Sequence, residues 1–121
     1  MLFRSSARRA HELNPNSINS INACGQIEIY SGNLDIGADV LQAALRVSPR
    51  DPINNFVYFG LAFAKCLAAE FASGVEYARH SINATPGFGP GYALLAMNHA
   101  GMGELDKAKA AFSTAQSLSP G

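Results

Sequence analysis

Four prolines set the frame of this chain. Pro15, Pro49, Pro86 and Pro120 follow the stretches "AHELN", "ALRVS", "SINAT" and "AQSLS", and they stand 34, 37 and 34 residues apart. Each lead-in reads as the last turn of an amphipathic helix and a polar residue, followed by a proline that cannot continue the helix. A period of this length marks a stack of supersecondary units, none of which can bury its apolar face alone. Each unit must then pack on its neighbours in sequence.

Between the prolines each unit holds two helical patterns with a short break. The breaks are "SGNL" (31–34), "AAEF" (68–71) and "GMGEL" (101–105), the middle one without a glycine. The spacing predicts helices near 2–13, 17–30, 34–47, 53–69, 72–84, 90–101 and 104–118. Asp51 and Pro52 read as an N-cap and first helical residue, and Pro90 opens its helix in the same way. No segment alternates with period two over a useful length, so the fold class is all-α.

Small residues keep the same period. Gly25, Ala62 and Ala96 recur in the first helix of a unit, and Gly37, Gly74 and Ala108 in the second. A glycine inside a helix costs about 1 kcal/mol relative to alanine, so local propensity does not explain it. Close approach of the two antiparallel helices in a pair does. Larger apolar residues recur around these points, with Leu34, Phe71 and Leu105 in one set and Leu41, Ala78 and Phe112 in another.

These residues resemble the tetratricopeptide repeat, a helix–turn–helix unit of about 34 residues. The last unit carries most of the signature places, in Tyr92, Leu95, Ala96, Gly103, Leu105, Ala108, Phe112, Ala115 and Pro120. The middle unit keeps Tyr58, Leu61, Ala62, Phe71, Ile82 and Pro86, with Gly74 and Ser81 at usual alanines and three extra residues near "DPI". The first keeps Gly25, Gly32, Leu34, Leu41, Ala44 and Pro49, with Glu28 at a usual aromatic. The resemblance implies a single-domain right-handed α-α superhelix of about seven helices. Its repeats would cover 18–51, 52–88 and 89–121, with 1–17 the second helix of a truncated repeat. The texture from Ser48 to Phe88 is also similar to repeats attached to bacterial nucleotide-cyclase or winged-helix regulators. It implies a piece of a larger regulatory protein, although no cyclase motif is present.

Composition narrows the partners. Nine basic and nine acidic residues cancel, which leaves no electrostatic footprint for nucleic acid. No uncharged apolar run reaches about 18 residues, so a membrane span is not expected. The arginine-bearing N-terminus does not read as a secretory signal. Cys24 and Cys66 lie inside apolar helical patterns and read as reduced, buried thiols. A cytoplasmic protein is the simplest fit.

The stretch "INNFVYFGLAFAKCLAAEF" (53–71) carries only Lys65 and Glu70 as charges, and its apolar residues point to every side of a helix. A surface helix normally has one apolar stripe. Tyr58, Leu61, Ala62 and Lys65 share one face; Phe56, Phe59, Phe63, Cys66 and Leu67 share the other. The resemblance places that second face in a concave groove lined by the first helix of each unit; packing between adjacent first helices would instead make Phe56, Phe59 and Phe63 core. Asn19, Asn22, Gln26 and Tyr30 take the corresponding places in the first unit, and Ala93 and Met97 in the last. The groove would then have an amide wall, an aromatic floor and a small, soft far side. It lacks the cations that grip a carboxylate terminus.

Catalysis finds little support. "GFGPGY" (87–92) follows a helix instead of a strand, and Pro90 removes a donor where a phosphate would need one. His11, His80 and His99 lie in separate units, with Glu76 and His80 spaced as a surface pair and His99 as a packed ring. No nucleophile is spaced beside a base. The expectation is a module without cofactor or metal that binds a protein or peptide segment, with self-association into oligomers as the alternative.

Overall fold

The computed structural model describes residues 18–118, which form six helices. They are α1 (Ile18–Tyr30), α2 (Leu34–Val47), α3 (Asn54–Leu67), α4 (Phe71–Ala84), α5 (Gly89–Gly101) and α6 (Leu105–Leu118). Among the described residues there is no strand. The helices pair as α1/α2, α3/α4 and α5/α6, each pair packs on the next, and the first helices also touch, α1 on α3 and α3 on α5. This is the sequential packing of a tetratricopeptide-like solenoid. The helix expected at 2–13 lies outside the described residues; the other six agree to within two residues at each end.

The three turns within pairs close identically. Asn33 N–H donates to the Glu28 carbonyl at 2.9 Å, Glu70 N–H to that of Lys65 at 2.8 Å, and Glu104 N–H to that of His99 at 2.9 Å. Such a closure needs one left-handed residue just past the helix. Gly32 (φ 89°) and Gly103 (φ 78°) supply it in the outer turns, and Ala69 (φ 59°) supplies it in the middle one. The break without glycine keeps the geometry of the others, and its Cβ costs about 1–2 kcal/mol there.

One start differs from expectation. Helix α3 begins at Asn54 and not at Pro52, because Asp51 closes a tight turn ahead of it. Its Oδ1 accepts the Ile53 N–H at 3.0 Å, and Asn54 Nδ2 donates to the Ser48 carbonyl at 2.9 Å. The residues added near "DPI" build this turn. Pro90 sits in the first turn of α5 as expected.

The larger core lies between the first and second pairs, around Ile21, Ile29, Leu41, Val57 and Leu61. A smaller one, Ala62, Ala78 and Leu94, lies between the second and third. Gly25 and Gly37 meet where α1 crosses α2: a Cβ on Gly37 would stand 3.0 Å from the Gly25 carbonyl, and one on Gly25 would overlap Leu41. Gly74 departs from that pattern. A Cβ there would overlap Asn98, so its missing side chain admits a residue of the next pair. The repeated packing positions also diverge. Leu41 and Ala78 are fully buried, whereas Phe112 is 53% and Leu105 59% exposed, since no further pair covers them among the described residues.

Candidate functional site

The faces of α1 and α3 that follow the expected groove spacing come together in one strip. Gln26 Nε2 donates to the Phe56 carbonyl at 3.2 Å and to Asn22 Oδ1 at 3.3 Å, tying the amides of α1 to the backbone of α3. The Tyr30 ring rests against Phe63, centroids 6.0 Å apart and tilted 52°. At the other end of α3, Phe88 meets Phe56 edge-on at 5.4 Å and Phe59 at 5.8 Å.

The exposure of these rings separates core from surface. Phe59 and Phe63 are half-buried against the two apolar clusters. Phe56 is 48% exposed and is no core residue. Tyr30 and Leu67 are also exposed, and Cys66 is half-buried, which pushes its thiol pKa up by desolvation. Asn19 is exposed, while Asn22, Gln26 and Ala93 are half-buried. Met97 sits apart from the ring contacts. It lines a shallow apolar depression of about 300 Å³ between α5 and α6, together with Ala96, Ala100, Ala108, Lys109 and Phe112.

On the opposite face of α3, Tyr58 packs within its own pair, stacking on Tyr77 and on His80 with centroids 6.5 Å and 5.0 Å apart, whereas Leu61 and Ala62 are fully buried in the two cores shared with the neighbouring pairs. His80 therefore packs on an aromatic ring and forms no ion pair with Glu76. Ser81, at a usual alanine, is buried and donates to the Asn55 carbonyl at 2.9 Å.

Two features were not read from the sequence. The sequence spacing leaves Phe88 between two helices, yet its ring closes the aromatic strip; an aromatic flanking an aromatic-rich helix is the available signal. The second is a side-chain clasp spanning each turn at a spacing of five residues, which no single-helix pattern reveals. Asn33 Nδ2 donates to Glu28 Oε1 at 3.3 Å, and Lys65 Nζ donates to Glu70 Oε2 at 2.8 Å. His99 Nδ1 lies 3.0 Å from Glu104 Oε1. His99 is buried, as a packed ring should be. Its hydrogen bond, and then that from Lys107, hold the Glu104 carboxyl below its ordinary range. Among the described residues no group of three or more His, Cys, Asp or Glu side chains is placed to hold a metal ion. Nor is any helix there long and apolar enough to cross a membrane.

Solved structures share this architecture. The chain is similar to the crystal structure of PilW, described as a widely conserved type IV pilus biogenesis factor. Its TM-score is 0.85 at 23% identity, covering 94% of this chain and 52% of that one. It is also similar to crystal structures of MamA, with a TM-score of 0.82 at 19% identity over 94% of this chain and 65% of that one. A second MamA structure gives 0.80 at 20% identity, covering 94% and 61%. The chain thus spans between 52% and 65% of the length of these structures. No family model and no curated protein sequence matches it. At such identities the likeness concerns fold alone. The chain therefore has a tetratricopeptide-like solenoid fold of the kind seen in MamA and PilW, with no particular tie to cyclase-linked or winged-helix repeats.

Proposed function

We propose that the α1/α3/α5 face is a concave groove that binds a peptide or helix of another protein, or of a longer parent chain, without catalysis. The observation that carries this reading is the ring strip on α1 and α3, whose outer members Tyr30 and Phe56 are 68% and 48% exposed. Fully burying a large apolar side chain contributes about 1.5–3 kcal/mol, and aromatic anchors dominate interface energetics. The module belongs to a larger regulatory protein and acts in the cytoplasm. Its partner is a protein and not a nucleic acid or a lipid, in keeping with the balanced charge.

Photo-cross-linking in cells tests the reading. A cross-linker at Tyr30 or Phe56 should trap one defined segment, and one at Arg79 on α4 should not. Equal trapping from both walls would remove the groove from consideration.

Self-association is the second reading, favoured by a separate patch. Met97 and Phe112, which line the α5/α6 depression, are both about half exposed, and Leu105 lies two turns before Phe112 on α6 and is exposed as well. Light scattering over a concentration series should then show a dimer that Phe112→Ser dissociates. A strict monomer at high concentration rules it out.

A further inference from the structure

Charge is divided between the two walls of the stack. Helices α2, α4 and α6 carry exposed charges of both signs, among them Asp39, Arg79 and Lys109. Across α1, α3 and α5 the only Asp, Glu, Lys or Arg residues are Glu28 and Lys65. Glu28 is buried and accepts from Asn33; Lys65 is bound to Glu70 at 2.8 Å. Glu28 is shielded and Lys65 already has its counter-ion in Glu70, so among the described residues these three helices offer no unpaired charge of either sign.

The rings also carry a spacing. Phe56 and Phe63 lie seven residues apart on α3, which is about 10 Å along the axis. Each has a second ring against it, Phe88 and Tyr30 respectively. Between these clusters the polar groups are neutral. Gln26 Nε2 is engaged by Asn22 Oδ1, which leaves the Asn22 amide nitrogen as a neutral donor suited to a peptide carbonyl.

Resting on the groove reading above, we infer that the bound segment is uncharged over the stretch it buries and presents two apolar side chains about 10 Å apart. A segment in the polyproline II conformation meets that spacing on one face at i and i+3, and a helix at i and i+7. A carboxylate or ammonium laid on this wall would lose water without gaining an ionic partner; the rings return a small part of that loss to an ammonium by cation–π attraction and none to a carboxylate. The groove therefore selects by excluding charge, and its affinity is insensitive to salt.

The test uses random peptides of about a dozen residues displayed on phage, selected on the full chain and counter-selected on its Phe56→Ser variant. Circular dichroism checks that the variant is folded; if it is not, Tyr30→Ser, at a more exposed position, takes its place. Selected peptides should lack Asp, Glu, Lys and Arg between two apolar anchors. In fluorescence anisotropy, a glutamate or a lysine placed between the anchors should each weaken binding more than about tenfold, and raising salt from about 50 to about 500 mM should change the wild-type affinity less than about twofold. Selected peptides that carry charge, with affinity falling as salt rises, would overturn the uncharged segment and leave the groove standing. Failure to select any peptide that tells wild type from the variant would remove the groove, and this inference with it.

Discussion

The seam between the first and second helix pairs and the seam between the second and third use the same repeat architecture with different chemistry. In the first, Gly60 of α3 lies against Leu41 and the Gln26 side chain, beside the apolar cluster of Ile21, Ile29, Val57 and Leu61. In the second, Asn98 of α5 fills the space left by Gly74, beside the smaller buried set of Ala62, Ala78 and Leu94, with half-buried Phe59, Tyr77 and Leu95 packed against it. Asn98 is fully buried; its Nδ2 donates to the Leu94 carbonyl at 2.9 Å, and its Oδ1 has no partner. A buried polar atom left unsatisfied costs about 1–3 kcal/mol, and the first seam carries one too, Gln26 Oε1, but sets larger buried aliphatic groups against that cost. Repetition of shape is not repetition of stability. In a solenoid the total is a sum of unit and neighbour contributions, so the weaker seam sets where the stack opens first.

Cutting into the larger core gives the largest effect. Leu41→Ala should lower unfolding free energy by about 2–5 kcal/mol in a denaturant titration followed by circular dichroism. Leu94→Ala, in the smaller core, should cost less. An equal or greater cost at Leu94 would show that the two seams are equally strong.

Gly74→Ala comes next and sharpens the contrast. The new Cβ overlaps Asn98, and overpacking of this kind costs about 1–3 kcal/mol. Hydrogen exchange should show the loss of protection confined to α5 and α6 while α1 to α3 keep theirs. Adding Asn98→Ala should recover most of the loss, because the two positions share one space and their effects are not additive. Uniform loss of protection through all six helices would mean that the stack unfolds as one body.

Legibility from sequence followed the range of the signal. Helix boundaries and the Gly25/Gly37 crossing were readable because proline stops, glycine breaks and helical periodicity are encoded within one unit. Gly74 was misread as a crossing within its own pair, since its reason is Asn98, 24 positions later in the next pair. Phe88 was missed on the same ground: its partners Phe56 and Phe59 lie a full repeat earlier. The exposure of Phe56 against the half-burial of Phe63 depends on how neighbouring first helices sit on each other, which no local pattern states.

The middle turn stands between the two seams and offers a smaller test. Ala69→Gly should raise stability by about 1 kcal/mol, because it relieves a left-handed Cβ at the modest entropic cost of glycine. Gly103→Ala should move the third pair in the opposite direction by a similar amount. If Ala69→Gly destabilises, the middle turn is held by more than its backbone, and the clasp of Lys65 on Glu70 is the first candidate.

The smallest effect separates the second and third pairs by the side of the pH scale on which each loosens. Lys65 has its pKa raised, foremost by the hydrogen bond to Glu70 and against the opposing pull of partial burial. Its contribution is complete below the ordinary lysine value and fades as pH climbs through the raised one. Glu104 has its pKa lowered, foremost by the hydrogen bond from His99 and then by that from Lys107. Its contribution is complete above the ordinary carboxylate value and fades as pH falls through the lowered one. The α3/α4 turn should therefore weaken in alkali and the α5/α6 turn in acid. Thermal midpoints of wild type and Glu104→Gln, compared across pH, should differ near neutrality and converge in acid, since all other carboxylates are common to both proteins. Lys65→Met should show the mirror image and converge with wild type above the lysine range. If Glu104→Gln tracks wild type at every pH, the His99–Glu104 clasp contributes nothing to stability, and the weakness of the third pair lies wholly in its Asn98 seam.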